Sequence, residues 1–499
     1  TPYMGREWME NIRTGIEEAQ KNKMGAWIYD ENGWPSGFGD GEVNKKEQFQ
    51  QKYLRYEIVK EDMVERDDLE TIENNKQNNF ITTNKLEDGR LLYFYYEINP
   101  YYVDTLNPEV TEKFIEEVYE KYYDKFQKDF GRALKGFFTD EPQVSRDGIP
   151  WSPYLCKQYQ KKYQEDLLPL LPQLFFKVGD YKRTRYRFWY LVQELFVKNF
   201  TKKIYQWCDD HEVKLTGHMS QEENFLIQVT SNGAVMPHYE YFHRPGMDWL
   251  GRDIEPASTP LQVASVAHQL EKKQVLSETF ALTGWNVSFE ELKWIYEWQL
   301  VRGITQLCQH LESYSLKGIR KRDYPPSLFY QQHWWDKYDT FNDTVSRIGM
   351  LLAEGKVDFG VLVLHPQSSA WIYYDNNNNQ GVDKLFEDFM EITKKLEGNH
   401  INFHYGDERI IRRYGKVEDQ SFIVGEQEYE VVIIPPVEIL AESTVSLLEK
   451  YREQGGKILW SSTKPELIGG ITANKEQETQ RLTELYRKSK KVNPGKDLI

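Results

Sequence analysis

Apolar and polar positions follow two periods along this chain, and the two take turns. Arg6–Lys23 has apolar residues near helical spacing and predicts a helix. Met24–Tyr29 is a short apolar run and predicts a strand. It opens into Asp30–Gly37, a turn-rich loop carrying two acids, Trp34 and Pro35. Gln48–Lys85 is polar and charged and predicts a surface excursion. Leu91–Ile98, Leu134–Asp140, Val213–Met219, Ala234–Phe242, Gln274–Phe280 and Ile304–Tyr314 predict further strands. Helical segments fall between them at Pro108–Phe130, Tyr154–His211 and Phe289–Arg302, with another at Asp339–Leu352.

Strands that alternate with helices build parallel sheets from β-α units. The pattern gives seven strands, whereas a (β/α)8 barrel has eight. The chain opens on a helix, so the expectation is a TIM barrel over residues 1–354 whose first strand precedes Thr1. After Gly355 the alternation restarts with strands near Val357–Leu364, Ile401–Tyr405, Tyr429–Ile434 and Lys457–Ser461. This predicts a smaller open α/β domain over 355–470. The charged remainder, 471–499, reads as a peripheral tail.

Composition narrows the partners. A net charge of −15 disfavours a polyanionic partner such as nucleic acid. No apolar stretch approaches the roughly 20 residues of a membrane span. Cys156, Cys208 and Cys308 are far apart and read as free thiols of a reducing, cytoplasmic setting. Aromatic residues, at 14%, supply faces on which sugar rings stack, though they also fill cores.

The candidate chemistry sits at strand ends. Leu134–Pro142 reads Leu-Lys-Gly-Phe-Phe-Thr-Asp-Glu-Pro, a buried strand stopped by two carboxylates, Asp140 and Glu141. Glu278 ends a second such strand, three strands further on. The carboxyl ends of parallel strands are where barrels carry their chemistry. Two carboxylates facing across a barrel mouth are what glycoside hydrolysis uses. Asp30, Trp34, His218, Tyr239, Trp285 and Tyr314 stand at other strand ends or loops and could contact a sugar. No cofactor or metal motif is expected. Two alternatives stay open: a metal-dependent hydrolase using His218 and His238, and a carbohydrate-binding barrel without turnover.

The Thr-Asp-Glu-Pro ending resembles the Asn-Glu-Pro ending that carries the acid/base of clan A glycoside hydrolases. Leu-Ser-Glu-Thr-Phe resembles the nucleophile strand of that clan. The loop Tyr-Asp-Glu-Asn-Gly-Trp-Pro-Ser-Gly resembles one in large bacterial glycosidase-like proteins near the α-L-rhamnosidases. The later domain is similar to the glutamine-amidotransferase-like, flavodoxin-like domain of family 42 β-galactosidases, where it helps form trimers. The resemblance implies Glu141 as acid/base, Glu278 as nucleophile, retention of configuration, and a homo-oligomer. Asp140 departs from the clan's Asn, which bonds the substrate's 2-hydroxyl. A carboxylate there cannot donate when ionised and would raise the pKa of Glu141. No Cys follows Cys308, so the later domain lacks an amidotransferase nucleophile.

Overall fold

A computed structural model describes residues 1–59, 79–255, 257–376, 378–461, 464–470 and 475–492. Strand β1 (Ala26–Tyr29) opens a parallel sheet. The chain then leaves it for an antiparallel sheet of β2 (Gln50–Val59), β3 (Phe80–Lys85) and β4 (Leu91–Val103). β5 (Leu134–Asp140) returns beside β1, and β6 (Pro150–Trp151) adds to β2. β7 (Lys214–His218), β8 (Arg244–Trp249), β9 (Leu276–Thr279) and β10 (Gln306–Gln309) complete the first sheet. Its order is β1-β5-β7-β8-β9-β10, all parallel, so each strand joins beside its predecessor and the sheet curls into a half-barrel.

Three expectations are corrected. The parallel sheet has six strands among the described residues, not seven. Leu91–Ile98 is a strand, but it belongs to β4, whose long antiparallel pairing with β2 holds it in the other sheet. The strand expected at Ala234–Phe242 is instead a helical turn at Met236–Tyr239 followed by β8. Pro237 lacks an N–H and fits the first turn of a helix better than a central strand. The excursion at Gln48–Lys85 contains β2 and β3, and residues 60–78 of it lie outside the described residues.

β5 is fixed by what covers it. The helix starting at Pro108 is capped by Asn107, whose side chain accepts from the Glu109 amide. The helical stretch that follows lays Tyr119 and Tyr122 on Phe137, with ring centroids 4.5 and 6.0 Å apart. Burying such an aromatic contributes about 1.5–3 kcal/mol. This packing orients β5 so that its last residues emerge at the carboxyl rim.

A second parallel sheet follows. It begins with β11 (Val361–Leu364) and β12 (Phe403–Gly406). A meander of β13 (Gly415–Glu418), β14 (Ser421–Val424) and β15 (Gln427–Tyr429) interrupts it before β16 (Val431–Ile434). β17 (Ile439–Ala441) pairs with β19 (Leu467–Gly469), while β18 (Lys457–Trp460) and β20 (Lys490–Lys491) extend the main sheet. The order is β12-β11-β16-β18-β20. The expected peripheral tail is corrected too. Helix Lys475–Lys488 buries Leu482 and Leu485, which lie one turn apart, and delivers β20 to the sheet edge. Residues 471–474 and 493–499 lie outside the described residues.

The helix Tyr181–Phe196 ties the two sheets together. Buried Arg183 pairs with Glu478 at 3.1 Å. Buried Arg185 donates to the Ile372 and Tyr374 carbonyls at 3.1 and 2.7 Å. Among the described residues, no helix is long and apolar enough to cross a membrane.

Candidate active site

The loop after β1 is built around its own acids. Glu31 is buried, and its carboxylate accepts from five backbone amides: Asn32, Gly37, Phe38, Gly39 and Asp40, at 2.7–3.3 Å. Gly39, at φ +56°, turns the chain so that these amides converge. Asp30 is wholly buried beside it and accepts from the Ser36 and Tyr119 hydroxyls, each at 2.5 Å. Burial lifts the Asp30 carboxyl to about 7. The loop so held presents Trp34 outward, 45% exposed. Its indole N–H donates to Glu141 Oε2 at 3.1 Å, and the Arg146 guanidinium lies 4.0 Å over its ring.

Glu141 follows the last residue of β5 at φ +49°. That left-handed residue ends the alternation which would set Asp140 and Glu141 on opposite faces. Its N–H bonds the His218 carbonyl at 3.2 Å, and Ser220 Oγ donates to its carboxylate at 3.3 Å. Burial raises the Glu141 carboxyl to about 7 against the charge of His218, and Asp140 adds to the rise. Asp140 accepts from the Tyr29 hydroxyl at 2.6 Å. Burial raises its pKa, with His218 opposing and Glu278 adding.

β7 brings His218 into the same cleft. It approaches β5 closely because residue 217 is glycine: a Cβ there would sit 1.9 Å from the Thr139 carbonyl oxygen. His218 Nε2 lies 2.9 Å from Glu278 Oε2 and 3.5 Å from Asp140 Oδ1. Burial would neutralise the imidazole, but Glu278, Asp140 and Asp248 outweigh it and keep it protonated. In return, burial of Glu278 is outweighed by the hydrogen bond and charge of His218, with His310 adding. Its pKa falls below the ordinary glutamate value.

β8 and β10 complete the cleft. Asp248 pairs in register with Glu278, and its Oδ1 has no hydrogen-bond partner among the described residues. Burial and the carboxylates of Glu278, Glu141 and Glu222 push its pKa far above the ordinary range, although His218 opposes them. His310 Nε2 is 4.0 Å from Glu278 Oε1.

Of the residues singled out in the sequence, Trp34, Asp140, Glu141, His218 and Glu278 converge. Asp30 lies beneath the loop, with its carboxylate oxygens spent on internal bonds. Tyr239 is fully buried in the helical turn and donates to Glu222 behind the cleft. Trp285 donates to the Lys321 carbonyl at 3.2 Å on an outer loop. Tyr314 is 98% exposed. The sequence reading missed Tyr29, Glu31, Asp248 and His310. Asp248 offered only a weaker signal, an acid interrupting a short apolar run at Pro-Gly-Met-Asp-Trp.

Asp140, His218 and Glu278 offer ligand atoms within 4.8 Å of one another, a set that could hold a cation. The alternative that paired His218 with His238 is corrected. His238 is in the helical turn, against Phe196 and 2.7 Å from Thr201 Oγ1, and burial holds its pKa far below the usual value.

The family model described as alpha-L-rhamnosidase, glycoside hydrolase 106, matches residues 96–498. The chain belongs to that glycosidase family. In fold it is similar to the rhamnosidase from Novosphingobium sp. PP1Y, with a TM-score of 0.58, 14% identity and 81% of this chain covered. This chain spans 39% of the length of that enzyme. It is also similar to the polyextremophilic β-galactosidase from Halorubrum lacusprofundi, with a TM-score of 0.58 and 10% identity over 96% of this chain and 69% of the other. A catalytic mutant of a family 42 β-galactosidase from G. stearothermophilus gives a TM-score of 0.53 at 11% identity, covering 93% and 65% of the two chains. No protein of curated function matches the sequence.

Proposed function

We propose that this chain carries the catalytic centre of a glycoside hydrolase acting on α-L-rhamnosides, with Glu141 as general acid and Glu278 as its ionised partner. One observation carries the reading. The two carboxylates, three strands apart in one cleft, have pKa values driven in opposite directions, to about 7 for Glu141 and below the ordinary value for Glu278. Such a split assigns acid and base roles. Glu141 protonates the glycosidic oxygen as the bond to the anomeric carbon breaks. Glu278 either attacks that carbon, giving retention, or takes the proton of an attacking water, giving inversion. Retention is the proposal, because the Leu276–Phe280 strand resembles a nucleophile strand. It requires the carboxyls about 5–5.5 Å apart in the complex, against about 6.5–9.5 Å for inversion.

The division into a domain over 1–354 and a second over 355–470, extended by the Lys475–Lys488 helix, is part of this reading. In order of appearance the second sheet runs 2-1-3-4-5, the flavodoxin-like order. This supports a glutamine-amidotransferase-like domain without a nucleophile, serving self-association. Sedimentation velocity tests it, and a monomer at micromolar concentration counts against it.

Turnover of nitrophenyl α-L-rhamnopyranoside, with the β-D-galactopyranoside as the second arm, tests the activity. Glu278→Gln should abolish hydrolysis of whichever is cleaved, and NMR of the first-formed anomer assigns retention or inversion. Near-native activity in Glu278→Gln would refute the assignment.

A further inference from the structure

A separate cavity of about 500 Å3 lies where the helix Tyr181–Phe196 meets the carboxyl ends of β11 and β12. Three residues lining it are almost wholly buried and have a polar atom without a partner among the described residues: Gln193 Nε2, His365 Nδ1 and Gln367 Oε1. Buried polar atoms are nearly always hydrogen-bonded, so three around one cavity call for an explanation.

Their roles follow from their neighbours. His365 Nε2 lies 3.1 Å from Gln262 Oε1, an oxygen that already accepts from Gln228 Nε2 at 3.0 Å, so His365 donates there. Burial keeps the imidazole neutral, with its pKa pulled down to about 3. Nδ1 is therefore a bare acceptor. Gln367 Nε2 donates to the Gly233 carbonyl at 2.9 Å, which leaves Oε1 as a second acceptor. Gln193 Oε1 accepts from Arg409 at 3.1 Å, which leaves its amide nitrogen as a donor. Each of the three atoms is sealed from solvent as it stands, and hydroxyl groups, which both donate and accept, match all three once these side chains turn toward the cavity.

Three cations and three acids line the wall, and they differ in how far they are engaged. Arg409 and Arg412 line the cavity and form no ion pair among the described residues; Arg412 bonds only the Tyr190 hydroxyl. The acids there are engaged elsewhere. Glu408 accepts from Ser368 Oγ and the Ala441 amide, Asp407 caps its own helix, and Glu442 pairs with Arg481. Lys162, the remaining cation, pairs with Glu194. Tyr186, Tyr190 and Trp371 add flat walls, their ring centroids 5.8–6.4 Å apart. Aromatic faces accept the C–H side of a sugar ring.

We infer that this cavity is a second ligand site for an anionic monosaccharide, a sugar acid or sugar phosphate. The anionic group of the ligand meets Arg409 and Arg412, its ring lies against Tyr186, Tyr190 and Trp371, and its hydroxyls meet Gln193, His365 and Gln367 once those side chains turn toward the cavity.

Titration calorimetry on the whole chain tests this with D-glucuronate, D-glucose 6-phosphate, D-glucose and inorganic phosphate. One of the two anionic sugars should bind about tenfold or more tightly than glucose or phosphate, a difference of about 1.4 kcal/mol. The two sugars distinguish carboxylate from phosphate. Arg412→Gln, at an exposed position that should not perturb folding, should weaken binding about tenfold. Glu141→Gln and Glu278→Gln should leave it unchanged. Arg409→Ala should weaken it further; if that variant melts early, Arg412→Gln decides alone. The inference fails if neither anionic sugar binds, if glucose or phosphate binds equally well, or if binding is lost in the Glu141 or Glu278 variants but kept in Arg412→Gln.

Discussion

His218 reaches past an intervening strand to hold Glu278: its Nε2, at the end of β7, is 2.9 Å from Glu278 Oε2 on β9, while Asp248 stands on β8 between them. The imidazolium is thus the cation around which Asp140, Asp248 and Glu278 are arranged.

Removing that cation should move the whole pH profile. His218 lowers the pKa of Glu278 and opposes the rise at Glu141. In His218→Ala both carboxyls titrate higher, so the acid and alkaline limbs of kcat/KM should both shift upward, by about 1–3 pH units for a neighbouring charge of this kind. A loss of rate with limbs unmoved would mean a purely structural role.

As the proposed general acid, Glu141 should set the alkaline limb. It works while protonated, so activity should decline as pH rises through about 7. Glu141→Gln should cost about 10²–10⁴-fold on substrates with poor leaving groups and far less on dinitrophenyl glycosides, which leave without a proton. An equal loss on both would remove Glu141 from the acid role.

The five amides around Glu31 make it intolerant of an isosteric change. Gln at this position would turn an amide N–H2 toward backbone donors and leave some of them unpaired in a buried loop. Glu31→Gln should destabilise the chain by about 2–4 kcal/mol and raise KM as Trp34 loses its placement. Urea unfolding and steady-state kinetics measure the two effects. An unchanged midpoint would show that the carboxylate is dispensable.

Asp30 should govern part of the pH dependence of stability. Its folded pKa, about 7, lies above the ordinary 3.8. The fold therefore favours the protonated form. The associated stability is complete below about pH 4 and is lost as pH rises through about 7. An asparagine side chain in its place stays neutral throughout, so the stability of Asp30→Asn relative to the native chain should climb between about pH 4 and 7 and then level, by up to a few kcal/mol. Urea unfolding at a series of pH values measures it. A difference independent of pH would contradict the buried-acid assignment.

The strand ends at Glu141 and Glu278 were legible because an apolar run halted by an acid is a local signal. Their separation by three strands survived an error: the strand assigned to Ala234–Phe242 stood in for β8, so the count between them did not change. That same error hid Asp248. Asp30 and Glu31 show a different limit. Both are acids in a turn-rich loop, and only the folded loop reveals that both point inward. The union of β4 with β2 rather than with β5 was equally hidden, because strand pairing is a long-range choice that one apolar run does not encode. The helix Lys475–Lys488 escaped notice for want of apolar residues; beside Leu482 and Leu485 its third buried residue is an acid, Glu478.

The arginines of Tyr181–Phe196 bear on how this chain could be inherited or cut. Arg183 and Arg185 each have one nearby partner, Asp180 and the Gln173 carbonyl, and draw the others from beyond residue 370, in one case from the helix Lys475–Lys488. A fragment ending near residue 354 would lose Glu478 and the Ile372 and Tyr374 carbonyls, leaving each of these guanidiniums with part of its hydrogen bonding unmet. Recombination that swapped the second sheet for a foreign one would meet the same obstacle. The same buried polar contacts join the two sheets that the family model spans together.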